Sequence, residues 1–243
     1  MFDFHSHLRR DPITKEYEIE ALLADMEANK IDCRMISTVE GKSTSAQNDM
    51  IIDLVKQYPD KLVGCAVINP KEDDSVEEMK RVCMHKEIKA IELDSMEHGY
   101  LPEKLEYNIN PILEIADENN IIVKLFTGWG ARTAPQQWKK YVEKFPNVKF
   151  VILHIGGIDF GYGSIDFAKQ YDNVYFETSN QTEIQILHRA FNELPFERFV
   201  FGSNYPEQFT YCSIHTFDCL DFTEEQKEDL YQKNAEKLLG ING

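Results

Sequence analysis

The chain has 243 residues, of which 42% are hydrophobic, and its 42 acidic and 26 basic side chains give a formal net charge of −16. This length suits one large α/β domain or two small ones, and the composition excludes a disordered or fibrous protein. A field of negative sign repels nucleic acid and anionic membrane surfaces, so we expect neither as a partner.

The length of the apolar runs and the spacing of the cysteines bear on the cellular compartment. Runs such as residues 150–153 are much shorter than a membrane span, and no basic segment followed by an apolar one opens the chain. We therefore expect neither a membrane helix nor a secretory signal. The five cysteines are odd in number and show no CxxC spacing. This usage is typical of reduced thiols in a protein core, so we expect a cytoplasmic protein.

Short apolar runs alternate along the chain with amphipathic, charge-rich segments. The runs predict strands at residues 2–7, 32–39, 62–68, 88–94, 121–127, 148–155, 173–179 and 199–204. The segments predict helices at residues 13–30, 45–58, 74–86, 108–119, 134–145, 164–171, 181–194 and 223–239. This strict alternation predicts a distorted (β/α)₈ TIM barrel as a single domain over residues 1–243.

A doubly wound open sheet is the alternative architecture. Such a sheet is expected to carry a glycine-rich turn after its first strand, where this chain has Leu-Arg-Arg-Asp-Pro at residues 8–12. In a barrel, reactive groups lie at the C-terminal ends of the strands and in the loops that follow them. The residues at these strand ends therefore decide the predicted function.

The first strand ends with His5 and His7, separated by one residue. Side chains two residues apart leave the same face of a strand, so both imidazoles face one way, with Asp3 beneath them. Two neutral imidazoles placed in this way can bind one divalent metal ion. Further polar side chains at the predicted strand ends are Glu92, Asp94, Lys124, His154, Glu177 and Asn204.

Two other sets of residues suggest further contacts. Glu92 and Lys124 occupy neighbouring strands, which favours a buried structural ion pair over a catalytic role for both. In the loops, arginine lies near aromatic side chains, which suits binding of a planar or carboxylate-bearing small molecule. The alternative is that these arginines are simply solvated. The candidate substrate-binding residues are Arg9, Trp129, Arg132 and Tyr205.

With these motifs in this order, the chain resembles the amidohydrolase-related branch of the amidohydrolase superfamily, which contains metal-dependent (β/α)₈ hydrolases and decarboxylases. The matching segments are Asp-x-His-x-His at 3–7, His-x-Gly-Gly at 154–157, Gly-Ser-Asn-Tyr-Pro at 202–206 and the closing residues 234–240. The resemblance implies that His5 and His7 hold one zinc ion. It also implies that His154 activates the metal-bound water or contacts the substrate.

Two positions depart from the family pattern. The expected strand 5 histidine is Phe126, which cannot ligate a metal, and the expected strand 8 aspartate is Asn204, which cannot accept a proton as a carboxylate does. A catalytic zinc normally has three protein ligands and a water molecule. The missing ligand must come from His154, Asp94, Glu92, Glu177 or Asn204. Proton transfer would pass to His154 or Glu92. Without a strong anionic ligand, the site would bind metal weakly or stay empty.

Two functions follow from these residues. The first is an enzyme that uses one divalent metal ion, zinc, to hydrolyse an amide, ester or lactone, or to catalyse a related non-oxidative decarboxylation. Its catalytic residues are predicted to be His154, Asn204 and Glu92. The second is a degenerate relative that binds a small molecule or partner without turnover, which Phe126 and Asn204 favour and the retained histidines oppose. A homodimer is a further expectation.

Overall fold

The computed structural model of the chain describes residues 1–181 and 183–241, and eight parallel strands form one sheet in chain order. The strands are β1 (Phe2–His7), β2 (Cys33–Ser37), β3 (Leu62–Val67), β4 (Ile88–Leu93), β5 (Ile122–Leu125), β6 (Phe150–Ile152), β7 (Val174–Glu177) and β8 (Phe199–Val200). The expected (β/α)₈ barrel is confirmed. An open doubly wound sheet is excluded, because its strand order would reverse at a switch point.

Helices follow the strands and pack on the outside of the sheet. They are α1 (Ile19–Ala28), α2 (Thr44–Gln57), α3 (Ser75–Cys83), α4 (Glu106–Glu118), α5 (Lys139–Lys144), α6 (Gly157–Ala168), α7 (Ile184–Glu193), α8 (Thr210–Asp218), α9 (Glu224–Glu228) and α10 (Asn234–Leu239). A π-helical turn at Asp229–Lys233 joins α9 to α10. Among the described helices, none is both long and apolar enough to span a bilayer. Thr182, in the predicted helix 181–194, and residues 242–243 of the predicted domain lie outside the described residues.

An irregularity in β1 decides which side chains face the interior of the barrel. The pairing of β1 with β2 shifts register between Asp3 and Ser6. Phe4 packs with interior apolar residues, yet the next residue, His5, also lies inside, where it contacts Lys124. A bulge of this kind lets two successive side chains face the same side of a strand. Asp3 therefore faces the helices, and the expectation that it lies beneath the two histidines is wrong.

The segment after β8 closes the barrel against β1. The Phe4 amide donates a hydrogen bond to the Phe201 carbonyl at 2.8 Å, and the Asn204 amide donates to the His5 carbonyl at 2.9 Å. The His7 amide donates to the Tyr205 carbonyl at 2.7 Å. These bonds continue the sheet beyond its last regular strand. As a result, Asn204 is held beside the two histidines of β1.

Two helices differ from the sequence-based expectation. Helix α6 begins at Gly157, whereas the sequence predicted a start at residue 164. The glycines in its first turns interrupt the apolar pattern from which a helix is predicted, but they allow close packing. A Cβ atom on Gly161 would lie 2.6 Å from the Ile186 side chain of α7. Helix α8 was not expected, since its threonine, tyrosine, cysteine and histidine residues are poor helix formers that give no clear apolar stripe.

Candidate active site

A cavity of about 410 Å³ opens at the C-terminal ends of the strands. Its lining residues are His7, Arg9, Val39, Glu92, Asp94, Met96, Glu97, Phe126, Trp129, His154, Asn180, Asn204 and Glu207. His5 lies at the base of this group and is only 1% exposed. The cavity therefore brings together most of the residues that the strand ends had indicated.

His154 reaches the cavity through a strained turn. Strand β6 ends at Ile152 instead of continuing to residue 155, and the turn at Leu153–Gly156 places His154 and Ile155 in left-handed backbone conformations with φ of 59° and 52°. This region is unfavourable for bulky residues, so the surrounding contacts must hold it. The His154 amide donates to Glu177 Oε2 at 3.1 Å. The turn brings the His154 and His5 ring centroids to 5.2 Å.

Each of the three imidazoles has its Nδ1 atom in a hydrogen bond. Nδ1 lies 2.7 Å from Lys124 Nζ in His5, 3.0 Å from Ser37 Oγ in His7 and 2.9 Å from Ser179 Oγ in His154. Such partners fix the orientation of each ring and determine which nitrogen remains for a ligand. Within residues 1–181 and 183–241, no hydrogen bond uses Nε2 of these three rings.

The buried ion pair expected between β4 and β5 is confirmed. Glu92 and Lys124 are paired in register, and Lys124 Nζ lies 3.5 Å from Glu92 Oε2. Both side chains are almost completely buried. Burial opposes the ionisation of Glu92, but Lys124, His7 and the Ser37 hydroxyl keep the pKa of its carboxyl below the usual value. Glu92 is therefore an anion at the edge of the cavity.

The histidines are neutral. Burial lowers the pKa of His7 to about 4 and that of His154 to about 3, against the weaker opposing effect of Glu92. Burial, and then the charge of Lys124, lower the pKa of His5 well below its usual value. Neutral imidazole is the form that ligates a metal or accepts a proton. The charge state of the centre thus suits both tasks.

A group of three side chains fits a single divalent metal ion. His5, His154 and Glu177 each offer one ligand atom, these atoms lie within 4.8 Å of one another, and all three residues are buried. Two imidazole nitrogens and a carboxylate oxygen form a common donor set for zinc and related ions. Burial raises the pKa of Glu177 to about 7, even though its oxygens accept backbone amides. His7 is outside this group, although its ring centroid lies 4.7 Å from that of His5.

Glycine 202 provides the space for the Glu177 carboxylate. A Cβ atom on Gly202 would lie 2.0 Å from Glu177 Oε1. The glycine of the Gly-Ser-Asn-Tyr-Pro segment therefore has a steric role at the centre. Glu177 was one of five alternatives for the missing ligand, and its placement beside His5 and His154 follows from this space.

Aromatic side chains form one wall of the cavity. Phe126 and Trp129 stack with ring centroids 5.3 Å apart and an interplanar angle of 22°. Both meet His154 edge to face, at 5.7 and 5.4 Å. Phe126, where the resemblance implies a metal-ligating histidine, therefore presents an apolar face to the cavity.

Of the three remaining predicted substrate-binding residues, Arg9 lines the cavity, and Arg132 and Tyr205 do not. Arg9 lines the cavity, but its guanidinium is paired with Glu207 at 2.5 Å and Glu40 at 3.5 Å. Arg132 is exposed on the turn Ala131–Thr133 and does not line the cavity. The Tyr205 ring lies over the buried Arg34 guanidinium at 5.0 Å and is also outside the lining.

Several contributors were not singled out from the sequence. Ser37 and Ser179 each form a hydrogen bond with Nδ1 of one histidine and orient its ring. Ser37 is paired with His7 in the sheet register, at the C-terminal end of the neighbouring strand. Both serines lie at the C-terminal ends of strands, where reactive groups are expected in a barrel. Their small polar side chains gave no chemical signal of their own.

Comparison with protein families matches the amidohydrolase family model to residues 5–241. Comparison with curated proteins gives no match. A crystal structure of an amidohydrolase II is 20% identical, with a TM-score of 0.78 and coverage of 98% of this chain and 99% of that chain.

Two further solved structures share this fold. A probable 2-pyrone-4,6-dicarboxylic acid hydrolase from Acinetobacter baumannii with citric acid bound is 17% identical, with a TM-score of 0.76 and coverage of 98% of each chain. A 5-carboxyvanillate decarboxylase from Novosphingobium aromaticivorans with bound manganese and 3-methoxy-4-hydroxy-5-nitrobenzoic acid is 17% identical, with a TM-score of 0.72. Its alignment covers 90% of this chain and 80% of that chain. At these identities the likeness establishes the fold.

Proposed function

This chain belongs to the amidohydrolase family, and on that premise we propose that it is a metal-dependent hydrolase that acts on an amide, ester or lactone of a small molecule. The observation that carries the proposal is the buried group of His5, His154 and Glu177 at the base of the cavity. The chemistry that a divalent ion, zinc in this proposal, supplies when bound is polarisation of a carbonyl and activation of water.

Proton transfer is assigned to Glu92, because a neutral His154 that holds the metal ion has no lone pair left to accept a proton. The Ser179 hydroxyl lies 2.9 Å from Nδ1 of His154 and fixes the orientation of that ring in the cavity. Glu92 also lines the cavity, and its pKa lies below the usual value, so its carboxylate is the group that can accept a proton from water and return it to a leaving group.

Substrate orientation is assigned to Asn204 and the aromatic wall. Asn204 is 6% exposed and lines the cavity, so its amide can donate to a substrate oxygen. Phe126 and Trp129 present a flat apolar face that excludes water from one side. Arg9 would meet a substrate carboxylate only in competition with Glu207 and Glu40.

Non-oxidative decarboxylation is the second candidate function. The aromatic wall and Arg9 in the lining suit an aromatic acid, and one structural neighbour is a decarboxylase with a nitrobenzoic acid bound. Turnover assays with aromatic carboxylic acids and with lactones or esters would separate the two reactions. Decarboxylation of an aromatic acid releases carbon dioxide, whereas hydrolysis of a lactone or ester does not. Binding without turnover in both assays would favour the degenerate relative.

We also propose that the protein works in the cytoplasm. All five cysteines are free thiols in the structure. Burial raises the pKa of Cys65 to about 12 and that of the half-buried Cys33 to about 11, so both thiols stay protonated and unreactive. Free thiols persist in a reducing compartment.

Metal analysis tests the proposed function. Protein purified without chelator and incubated with zinc should hold one equivalent of metal, which His5→Ala should lose. Removal of an outer partner of a metal ligand already costs about 10- to 100-fold in affinity, so we expect loss of a ligand to cost about 100-fold or more. His188→Ala, on the exposed face of α7, is the control and should keep the metal. A wild-type protein that holds no metal after incubation would contradict metal-dependent hydrolysis.

A carboxylate at position 204 should strengthen the site. Asn204→Asp is expected to bind zinc about tenfold more tightly or better, since one opposite charge in a partly buried site contributes about 1–4 kcal/mol. Asn180→Asp is the matched control, because Asn180 lines the same cavity and shares the left-handed backbone, with φ of 53° against 54°. Equal gains in the two variants, measured by competition with a zinc indicator, would show a general charge effect instead.

A further inference from the structure

Lys124 has an unusual place in the barrel. Its side chain is 0% exposed and it does not line the cavity, so it cannot reach a substrate there. Its ammonium lies 3.5 Å from Glu92 Oε2 but only 2.7 Å from His5 Nδ1. The closest polar contact of this buried cation is therefore a side chain of the candidate metal group.

The hydrogen bond between Lys124 and His5 restricts the imidazole. An ammonium has three donors and no acceptor, so Nδ1 of His5 must accept through its lone pair. A neutral imidazole has one such lone pair, and its other nitrogen carries the proton. In this arrangement His5 carries its proton on Nε2. Neither nitrogen of His5 then offers a free lone pair to a metal ion.

Charge acts in the same direction. A divalent ion held by His5, His154 and Glu177 would share His5 with the Lys124 ammonium. Like charges repel strongly where water is excluded, and both side chains of the Lys124–His5 contact are buried. The Glu92 carboxylate can balance one positive charge in this region, and the Lys124 ammonium already supplies that charge.

We infer that Lys124 is the resident cation of the centre and restrains divalent metal binding by occupying the lone pair of His5. This inference rests on the proposed function, because it concerns the same metal group. Metal uptake through His5 requires Lys124 to release its hydrogen bond. The restraint is separate from the ligands lost at Phe126 and Asn204, since it acts on a histidine that the chain retains.

Removal of Lys124 from a variant that already lacks the Glu92 carboxylate tests the inference. Glu92→Gln serves as the parent, and Glu92→Gln/Lys124→Met differs from it only at the lysine, so no buried anion is left without a partner. The double variant should bind zinc at least about tenfold more tightly than its parent. Lys149→Met in the same parent is the control, because Lys149 bonds the Leu238 carbonyl on α10 and should leave zinc affinity unchanged. Affinity is measured by competition with a zinc indicator.

The ¹⁵N chemical shifts of the histidines provide a second readout. The metal-free wild type should show His5 with the proton on Nε2, identified by its loss in His5→Gln. A proton on Nδ1 of His5 would overturn the inference, and so would equal or weaker zinc binding after removal of Lys124. In those cases one equivalent of zinc in the wild type would leave the proposed function standing. Absence of zinc from the wild type and from every variant would contradict both.

Discussion

Arg34→Met is expected to lower the free energy of unfolding by about 3–5 kcal/mol, because it would leave a buried carboxylate without its counter-charge. Arg34 and Asp3 are both 0% exposed, and Arg34 Nε donates to Asp3 Oδ2 at 2.8 Å. A terminal nitrogen of Arg34 donates to Asp25 of α1 at 2.7 Å. The pair thus fastens β1 and β2 to the first helix.

Chemical denaturation monitored by circular dichroism measures this cost. Arg189→Met is the control, since Arg189 also bridges two carboxylates, of Asp166 and Glu193, but is 28% exposed, and both carboxylates are exposed to 33% or more. Its loss should cost about 1 kcal/mol or less, as for other exposed pairs. Asp3→Asn combined with Arg34→Met should recover part of the stability. Similar costs for Arg34→Met and Arg189→Met would contradict the role given to burial.

Gly128→Ala is expected to cost about 3 kcal/mol, from backbone strain and overpacking together. Gly128 has φ of +129°, and a Cβ atom there would lie 2.7 Å from the Gly157 Cα atom. Because that neighbour is backbone, it can move only with the turn that carries His154. The substitution should therefore also weaken zinc binding.

Gly130→Ala separates the two contributions. Gly130 also has a positive φ, +71°, but nothing lies within 4 Å of an added Cβ atom. This variant should cost about 1–2 kcal/mol, from the backbone strain alone. Comparison of the two alanine variants by denaturation and zinc titration isolates the contact with Gly157. Equal effects would indicate that backbone conformation alone decides.

Features of the fold and the site could be predicted from the sequence where they depend on residues close together in the chain or on the direction of the strands. Strand positions and the barrel followed from apolar periodicity, and the clustering of Glu92 and His154 at one mouth followed from the parallel direction of the strands. The same rule placed Lys124 opposite Glu92, and the structure confirms this pair.

Other features depend on contacts between distant residues. The Asp3 carboxylate, which faces away from the histidines, accepts hydrogen bonds from Arg34 and from the Ser203 amide, both distant in sequence. The left-handed turn at His154 is held by Glu177, on the next strand. Periodicity in a single segment carries no information on such partners. The contact of Lys124 with His5, rather than with Glu92 alone, is a further case.

Closure of the barrel by residues after β8 also has a consequence for folding. Asp3 and Ser203 are 200 positions apart, yet they are joined by two hydrogen bonds. The centre takes one histidine from the first strand and its other candidate ligands from the sixth and seventh strand regions. It is therefore a high-contact-order element, whose formation must overcome a large loop-closure entropy. A ligand that binds only this assembled state would stabilise the closed chain by mass action, which makes occupancy of the centre a reporter of completed folding.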